Sequence, residues 1–409
     1  MESGSPDRAP GVPLAVYVLA LGTFCMGMSE FMIAGLLPDI ASDLDVSIPS
    51  VGTLISAFAV GMVLGAPTMA AASVRLPRRT TLIVALTVFT LAHALGALAP
   101  SYEVLLLARI LGAVACGTFW AIGTLIAVDL VPADARGPAL AVMVGGLTVA
   151  NVVGVPAGTL VGELLGWRAT FWAVGALVLI SLVGVLRLVP HLPPVTDRPS
   201  LALEARDLAQ PRAVIALLIT ATSQAAVFGA FSYIAPLLRD VSGIDPTLVP
   251  AVLALFGLGS VVGVAIGGRF ADRHPLKTIA VGVVAEAILL VLIAQFAESA
   301  VAVVLAIGLW GIASFCISPA LNIRLFTVAQ DARTLAAATN VSAFNIGNAV
   351  GPWLGGLAIS AGLGFTSPSY VGAGLAIACV PLLVIGARLD RSAAVREAEA
   401  MRHAARIAA

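Results

Sequence analysis

The chain has 409 residues, 60% of them hydrophobic and 11% charged, with a formal net charge of zero and a mean hydropathy of +1.05. An ordinary soluble domain carries about twice that charged fraction, so a soluble enzyme or a basic nucleic-acid binder is excluded. What remains is a polytopic membrane protein.

Apolar windows of about 20 residues, the length that crosses a bilayer as a helix, recur twelve times along the chain. No alternating barrel pattern accompanies them, so an all-α fold of twelve transmembrane helices is expected. A polar tail, residues 1–13, leads into the first span at 14–38, which offers no good cleavage site and reads as an uncleaved helix. Within it "MGMSEFMIAG" buries Glu30. A carboxylate at that depth costs about 2.5–3.5 kcal/mol on insertion scales, which makes it a candidate site. The next spans, 50–73, 80–99, 104–128, 138–161 and 169–189, complete an N-terminal six-helix bundle over 14–189. The polar stretch 190–212 reads as a linker. A second bundle, 213–387, holds spans at 213–237, 248–268, 278–296, 300–323, 335–361 and 370–387, and 388–409 is a tail with room for one amphipathic helix.

The charges are lopsided although they cancel. With the N-terminus inside, every Lys and Arg except Arg109, Arg168 and Arg239 falls on the cytoplasmic side, which predicts cytoplasmic termini and linker. The cations are arginines apart from Lys277, and Ala, Gly and Val are abundant, as in a GC-rich bacterial genome. Cys25, Cys116, Cys316 and Cys379 all lie in spans without pairing or metal spacing, so they read as small core residues.

One shift of about half the chain superimposes the two bundles. It pairs Pro38 with Pro236, Gly61 with Gly259, Gly65 with Gly263 and Arg75 with Arg273. One residue shorter, it pairs Asp134, Ala135 and Arg136 with Asp331, Ala332 and Arg333, and Asn151, Gly154 and Gly158 with Asn348, Gly351 and Gly355. An internal duplication of six helices makes parallel halves about an axis along the membrane normal, with the substrate path between them.

These residues resemble the major facilitator superfamily, and within it the drug:proton antiporters of twelve spans. "GRFADRHPLK" (268–277) is similar to the family's loop motif G-x-L-a-D-R-x-G-R-K, with Pro275 and Leu276 departing from it, and "AAASVRLPRR" (70–79) keeps its basic residues but has Val74 at the Asp position. Arg109 matches the arginine of the motif in the fourth span, and "NVVGVPAGTLVG" and "GNAVGPWLGG" are variants of the antiporter motif of the fifth span. "SEFMIAGLLPDIASDL", "LVPADARG" and "FSYIAPLL" look like chloramphenicol-resistance exporters and arabinose-exporter-like relatives.

The resemblance implies roles. Glu30 would carry the proton and Arg109 modulate it, since burial and a nearby cation act on a carboxylate in opposite senses. The alternative is a static pair that only joins spans 1 and 4. Arg75, Arg78, Asp129, Asp272 and Arg273 would form the cytoplasmic gate, with Asp129 and Arg78 as a latch or, alternatively, Asp129 a solvated acid. Gly154, Pro156, Gly158, Gly351, Pro352 and Gly355 would serve helix packing and hinge motion. Phe31, Phe119, Trp120, Gln224, Phe228, Phe231, Tyr233, Trp310, Ser314, Phe315 and Asn345 make an aromatic face with scattered amides and hydroxyls, suited to an amphiphilic ligand, or else core. Asn151 and Asn348 are candidates for interhelical bonds. Glu286 and His93, in spans expected outside the cavity, read as satisfied core groups or as further proton sites.

No G-x-S-x-G, H-E-x-x-H or P-loop occurs. The expectation is therefore not an enzyme but a proton-driven exporter of small amphiphilic drugs, chloramphenicol-like by preference, acting without a cofactor as a single chain in the bacterial cytoplasmic membrane. An exporter of a sugar or other metabolite is the alternative, and a non-transporting sensor a more distant one.

Overall fold

A computed structural model describes residues 12–73, 77–191, 208–329 and 333–408. Among these residues there are twelve long helices and no strand: α1 (Leu14–Asp43), α2 (Ile48–Ser73), α3 (Arg78–Ala97), α4 (Tyr102–Asp129), α5 (Arg136–Leu165), α6 (Trp167–Leu188), α7 (Pro211–Val241), α8 (Pro246–Ala271), α9 (Pro275–Gln295), α10 (Ala300–Val328), α11 (Arg333–Ser360) and α12 (Ser367–Ala408). Eleven are long and apolar enough to cross a bilayer by themselves. The other, α11, is diluted by Asn340, Asn345 and Asn348 but has a spanning length of 28 residues. The expected linker 190–212 falls largely on residues outside those described, and α12 continues as helix through the expected tail to Ala408.

Prolines mark where the helices depart from regularity. Pro156 has no N–H for the Val152 carbonyl, and the turn before it, Ala150–Gly154, widens to a π-helix. Pro236 acts likewise on Ser232: α7 breaks after Phe231, makes one turn at Ile234–Pro236 and ends in a π turn over Leu237–Val241. At the junction of α5 and α6, Gly166 has φ +85°, a conformation that a side chain would strain.

The chain divides into two compact units, Met1–Met32 with Leu64–Thr196, and Ile33–Val63 with Asp197–Ala409. In the first, α3 packs on α4 and α6, and α1 runs against α5 where Gly146 faces the Ala20 carbonyl. Gly65 of α2 lies against Val114 of α4, where an added Cβ would come within 2.8 Å of the Val114 Cα. In the second unit α8 packs on α10, α7 on α11 and α12, and α9 on α10 and α12. Gly263 there faces Ile312, the counterparts of Gly65 and Val114 under the repeat shift, so the duplication extends to its helix contacts. Leu179, Ile180, Val281, Val301, Leu305 and Ile377 are at least half exposed. A water-facing surface would not tolerate such a belt; hydrocarbon does. A groove of about 340 Å3 between α9 and α12, lined by residues such as Val283, Ala287, Val291, Ala376 and Val380, belongs to this apolar exterior.

Candidate functional site

In the first unit, Glu30 sits half-buried on α1 and Arg109 is 98% buried on α4. The guanidinium crosses to α1: its Nη1 donates to the Ser29 carbonyl at 2.8 Å and to Ser29 Oγ at 3.2 Å. Glu30, the next residue, lies within electrostatic reach of that charge. The two expected partners are thus brought to one place in an apolar bundle, where a charge is costly unless paired.

His93 reaches the same spot from α3. It is buried, packs its ring on Phe89 and Phe171, and has Nε2 2.9 Å from Ser29 Oγ and Nδ1 2.8 Å from the Phe89 carbonyl. Nothing in the sequence spacing announces this contact, because His93 and Ser29 come from separate spans.

The aromatic face assembles mainly in the second unit. Phe231 stands 4.8 Å from Phe256 and 6.5 Å from Trp310, centroid to centroid, and Phe256 stands 4.8 Å from Trp310 and 6.0 Å from Phe315. Phe228 closes on Phe231 edge-on at 6.0 Å. Phe256, which the sequence reading omitted, is the hub; its place on α8, three and seven residues before Gly259 and Gly263 and so on the same helix face, was the available signal. Gln224 and Asn345 are buried beside α7 and α11, and Asn345 Nδ2 donates back to the Val341 carbonyl at 3.0 Å. Phe31, Trp120 and Phe315 keep partial exposure.

Three of the expected wall residues are fully buried: Trp310, behind Phe231 and Phe256, and two that pack elsewhere. Phe119 is fully buried in the first unit against Gly22 of α1, where any larger residue would meet its ring. Tyr233 is wedged among Gly52, Gly355 and Gly356, and its hydroxyl donates to the Pro352 carbonyl at 2.9 Å. That carbonyl is therefore capped by a side chain from α7.

Glu286 is fully buried on α9, with Trp310 Nε1 3.5 Å from its Oε1 and Ser314 adjacent. No ion pair to it occurs among the described residues. An acid enclosed this way has no ion pair to lose, so Glu286→Gln should leave thermal stability unchanged within about 1 kcal/mol or raise it. A thermal-shift measurement in detergent checks this; a drop of several kcal/mol would show that the charge is needed.

Arg78 and Asp129 form an ion pair in the first unit, the acid 40% exposed. Exposure limits such a pair to about 0–1 kcal/mol. Asp129→Asn should accordingly cost less than about 1 kcal/mol in unfolding, any larger effect appearing only in transport. Asp272 and Arg273 are exposed, and Arg75 lies outside the described residues. Gly154 packs on Phe24 and Met28, Gly158 on Met28 and Thr170, and the Thr170 hydroxyl donates to the Gly158 carbonyl at 2.7 Å next to the π turn of Pro156.

Three further ion pairs were not singled out from sequence. Arg239 at the end of α7 grips Asp39 of α1 through both terminal nitrogens, at 3.1 and 3.2 Å. The signal was an acid directly after Pro38 at a span end. Asp390 of α12 accepts from Arg212 at 3.0 Å and from the buried Arg324 at 2.6 Å. Among the described residues no group of His, Cys, Asp and Glu could hold a metal.

Comparison with known proteins agrees with this architecture. The sequence profile described as Major Facilitator Superfamily matches residues 19–333 and 217–408. A chloramphenicol resistance protein of Streptomyces lividans is 41% identical over 379 residues, 91% of this chain and 95% of that protein. The inner membrane transport protein YdhP of Escherichia coli K12 is 38% identical over 370 residues, 90% of this chain and 95% of the relative. A crystal structure of a bacterial homologue of the human lysosomal transporter Spinster, inward-facing and unoccupied, superimposes with a TM-score of 0.72 at 18% identity, covering 93% and 96% of the two chains.

Proposed function

The chain belongs to the Major Facilitator Superfamily, and from that premise we propose that it is a proton-coupled antiporter that exports small amphiphilic compounds, phenicols such as chloramphenicol foremost. The observation that carries the coupling is the Glu30–Arg109 arrangement: an acid and a guanidinium from different helices, electrostatically linked inside an apolar bundle. Protonating Glu30 releases Arg109 from its anion, and removing the proton restores the attraction. If the two alternating states differ in how closely the pair can approach, each proton taken up favours one state. No cofactor enters this scheme; the energy is the proton gradient, worth about 2.3 kcal/mol per charge per 100 mV plus its pH component.

The substrate wall is the Phe228, Phe231, Phe256 and Phe315 cluster, backed by the buried Trp310, with Gln224 and Asn345, which offers stacking and a few hydrogen bonds to a mostly neutral aromatic. The 41% identity to a chloramphenicol resistance protein supports the ligand class. The arginine-rich loops orient the chain in a bacterial cytoplasmic membrane with both termini inside, and one chain suffices for the cycle. Expression in a susceptible bacterium tests the reading. Tolerance to chloramphenicol should rise about fourfold or more, an effect of about 1 kcal/mol on steady-state accumulation, and Trp310→Ala should remove most of it. Unchanged tolerance to the whole phenicol class, with the protein present in the membrane, would refute the substrate assignment.

A further inference from the structure

Ser29 has no role assigned so far and His93 only that of a core group or further proton site, yet their hydrogen bonds run in one direction. The Phe89 carbonyl only accepts, so His93 Nδ1 carries the proton in that 2.8 Å bond. In the neutral ring Nε2 is then an acceptor, and the Ser29 hydroxyl donates to it across 2.9 Å. With its hydrogen committed, Ser29 Oγ turns a lone pair towards Arg109 Nη1 at 3.2 Å, while the Ser29 carbonyl takes the same nitrogen at 2.8 Å. The relay is Arg109 to Ser29 to His93 to Phe89. All three side chains of the relay are at least 97% buried, so water does not compete for these bonds.

We infer that Ser29 and His93 are positioning residues for proton coupling: they fix the Arg109 guanidinium on α1 beside Glu30. This rests on the reading of Glu30 as the proton carrier. The titratable groups gathered here are Glu30 from α1, His93 from α3, and Arg109 and Cys116 from α4. Helices α5 and α6 bring Glu163 and Arg168 only near their junction at Gly166. Arg109 is therefore the cation whose position governs Glu30, and a relay that sets that position sets the pH at which the carboxyl exchanges its proton.

The test follows the Glu30 carboxyl by infrared titration of the reconstituted full chain, with Glu30→Gln assigning the band. Ser29→Ala removes the hydroxyl acceptor of Arg109 and leaves only the backbone carbonyl, and His93→Phe keeps the ring packing on Phe89 and Phe171 while deleting the acceptor of Ser29. Both should move the midpoint by about one unit. Ser29→Thr and His93→Gln, which restore a hydroxyl and an acceptor, should return it to within a few tenths of wild type. A midpoint identical in all five proteins overturns the inference, and so does a shift that the restoring variants fail to reverse, since that would mean packing alone. If Ser29→Ala does not fold, His93→Phe against His93→Gln decides it, and if His93→Phe does not fold, Ser29→Ala against Ser29→Thr does: the midpoint must track the hydrogen bond. Transport is measured separately on the same preparations. A wild type that titrates normally yet moves no protons with substrate would defeat the antiport reading and leave the positioning role standing.

Discussion

Glu30→Gln is expected to bind substrate but lose proton-driven accumulation, by about tenfold or more, while substrate-for-substrate exchange persists. The amide keeps the size and hydrogen bonding of the carboxyl but cannot change charge, so Arg109 loses the anion that its position beside Ser29 serves. Exchange needs only the conformational change with substrate bound; net export against a gradient needs a group that loads and unloads a proton. Parallel assays of exchange and of gradient-driven uptake in everted vesicles separate these. If Glu30→Gln loses both to the same degree, Glu30 is a structural half of a buried pair and not a coupling residue.

The second large effect concerns the fold. Gly347, Gly351 and Gly355 form the row along which α11 meets α7. A Cβ at Gly351 would overlap the Ala225 carbonyl and stand 2.7 Å from the Gly229 nitrogen, contacts with backbone that no rotamer relieves. Gly351→Val must push the helices apart, at about 1–3 kcal/mol for overpacking alone, and would pull Pro352 away from the Tyr233 hydroxyl. The expected result is a chain recovered poorly as a monodisperse species and melting several degrees lower. Gly374→Ala and Gly268→Ala are the controls: nothing lies within 4 Å of either added Cβ, so each should stay within about 0.5 kcal/mol of wild type. Equal effects at all three sites would show that α7–α11 contact is not what the row provides.

Much of the fold was legible because bilayer physics writes it directly into composition. Spans read as apolar windows, the repeat read as paired landmarks, and Gly65 and Gly263 proved to occupy equivalent helix crossings. What did not read was local geometry that depends on a partner helix. Pro156 and Pro236 announced irregular backbone, but not that π turns would absorb it, since that depends on where the freed carbonyl can bond. Phe119 and Tyr233 looked like wall residues because hydrophobic character does not tell a cavity from a core; Gly22 and Gly52 decide where those rings pack. Glu30 and Arg109 stood out because charge in a span is costly. His93 stood out only as a lone histidine and Ser29 not at all, because a hydrogen bond made between separate helices leaves no mark in the sequence.

The central claim, that substrate export and proton entry are one coupled event, is tested most directly in everted vesicles carrying the wild-type chain, energised to an acid interior. Adding chloramphenicol should raise the lumenal pH as protons leave in exchange for accumulating drug, and collapsing the proton gradient should release the drug. Drug accumulation that leaves lumenal pH unchanged, and survives collapse of the gradient, would contradict the account.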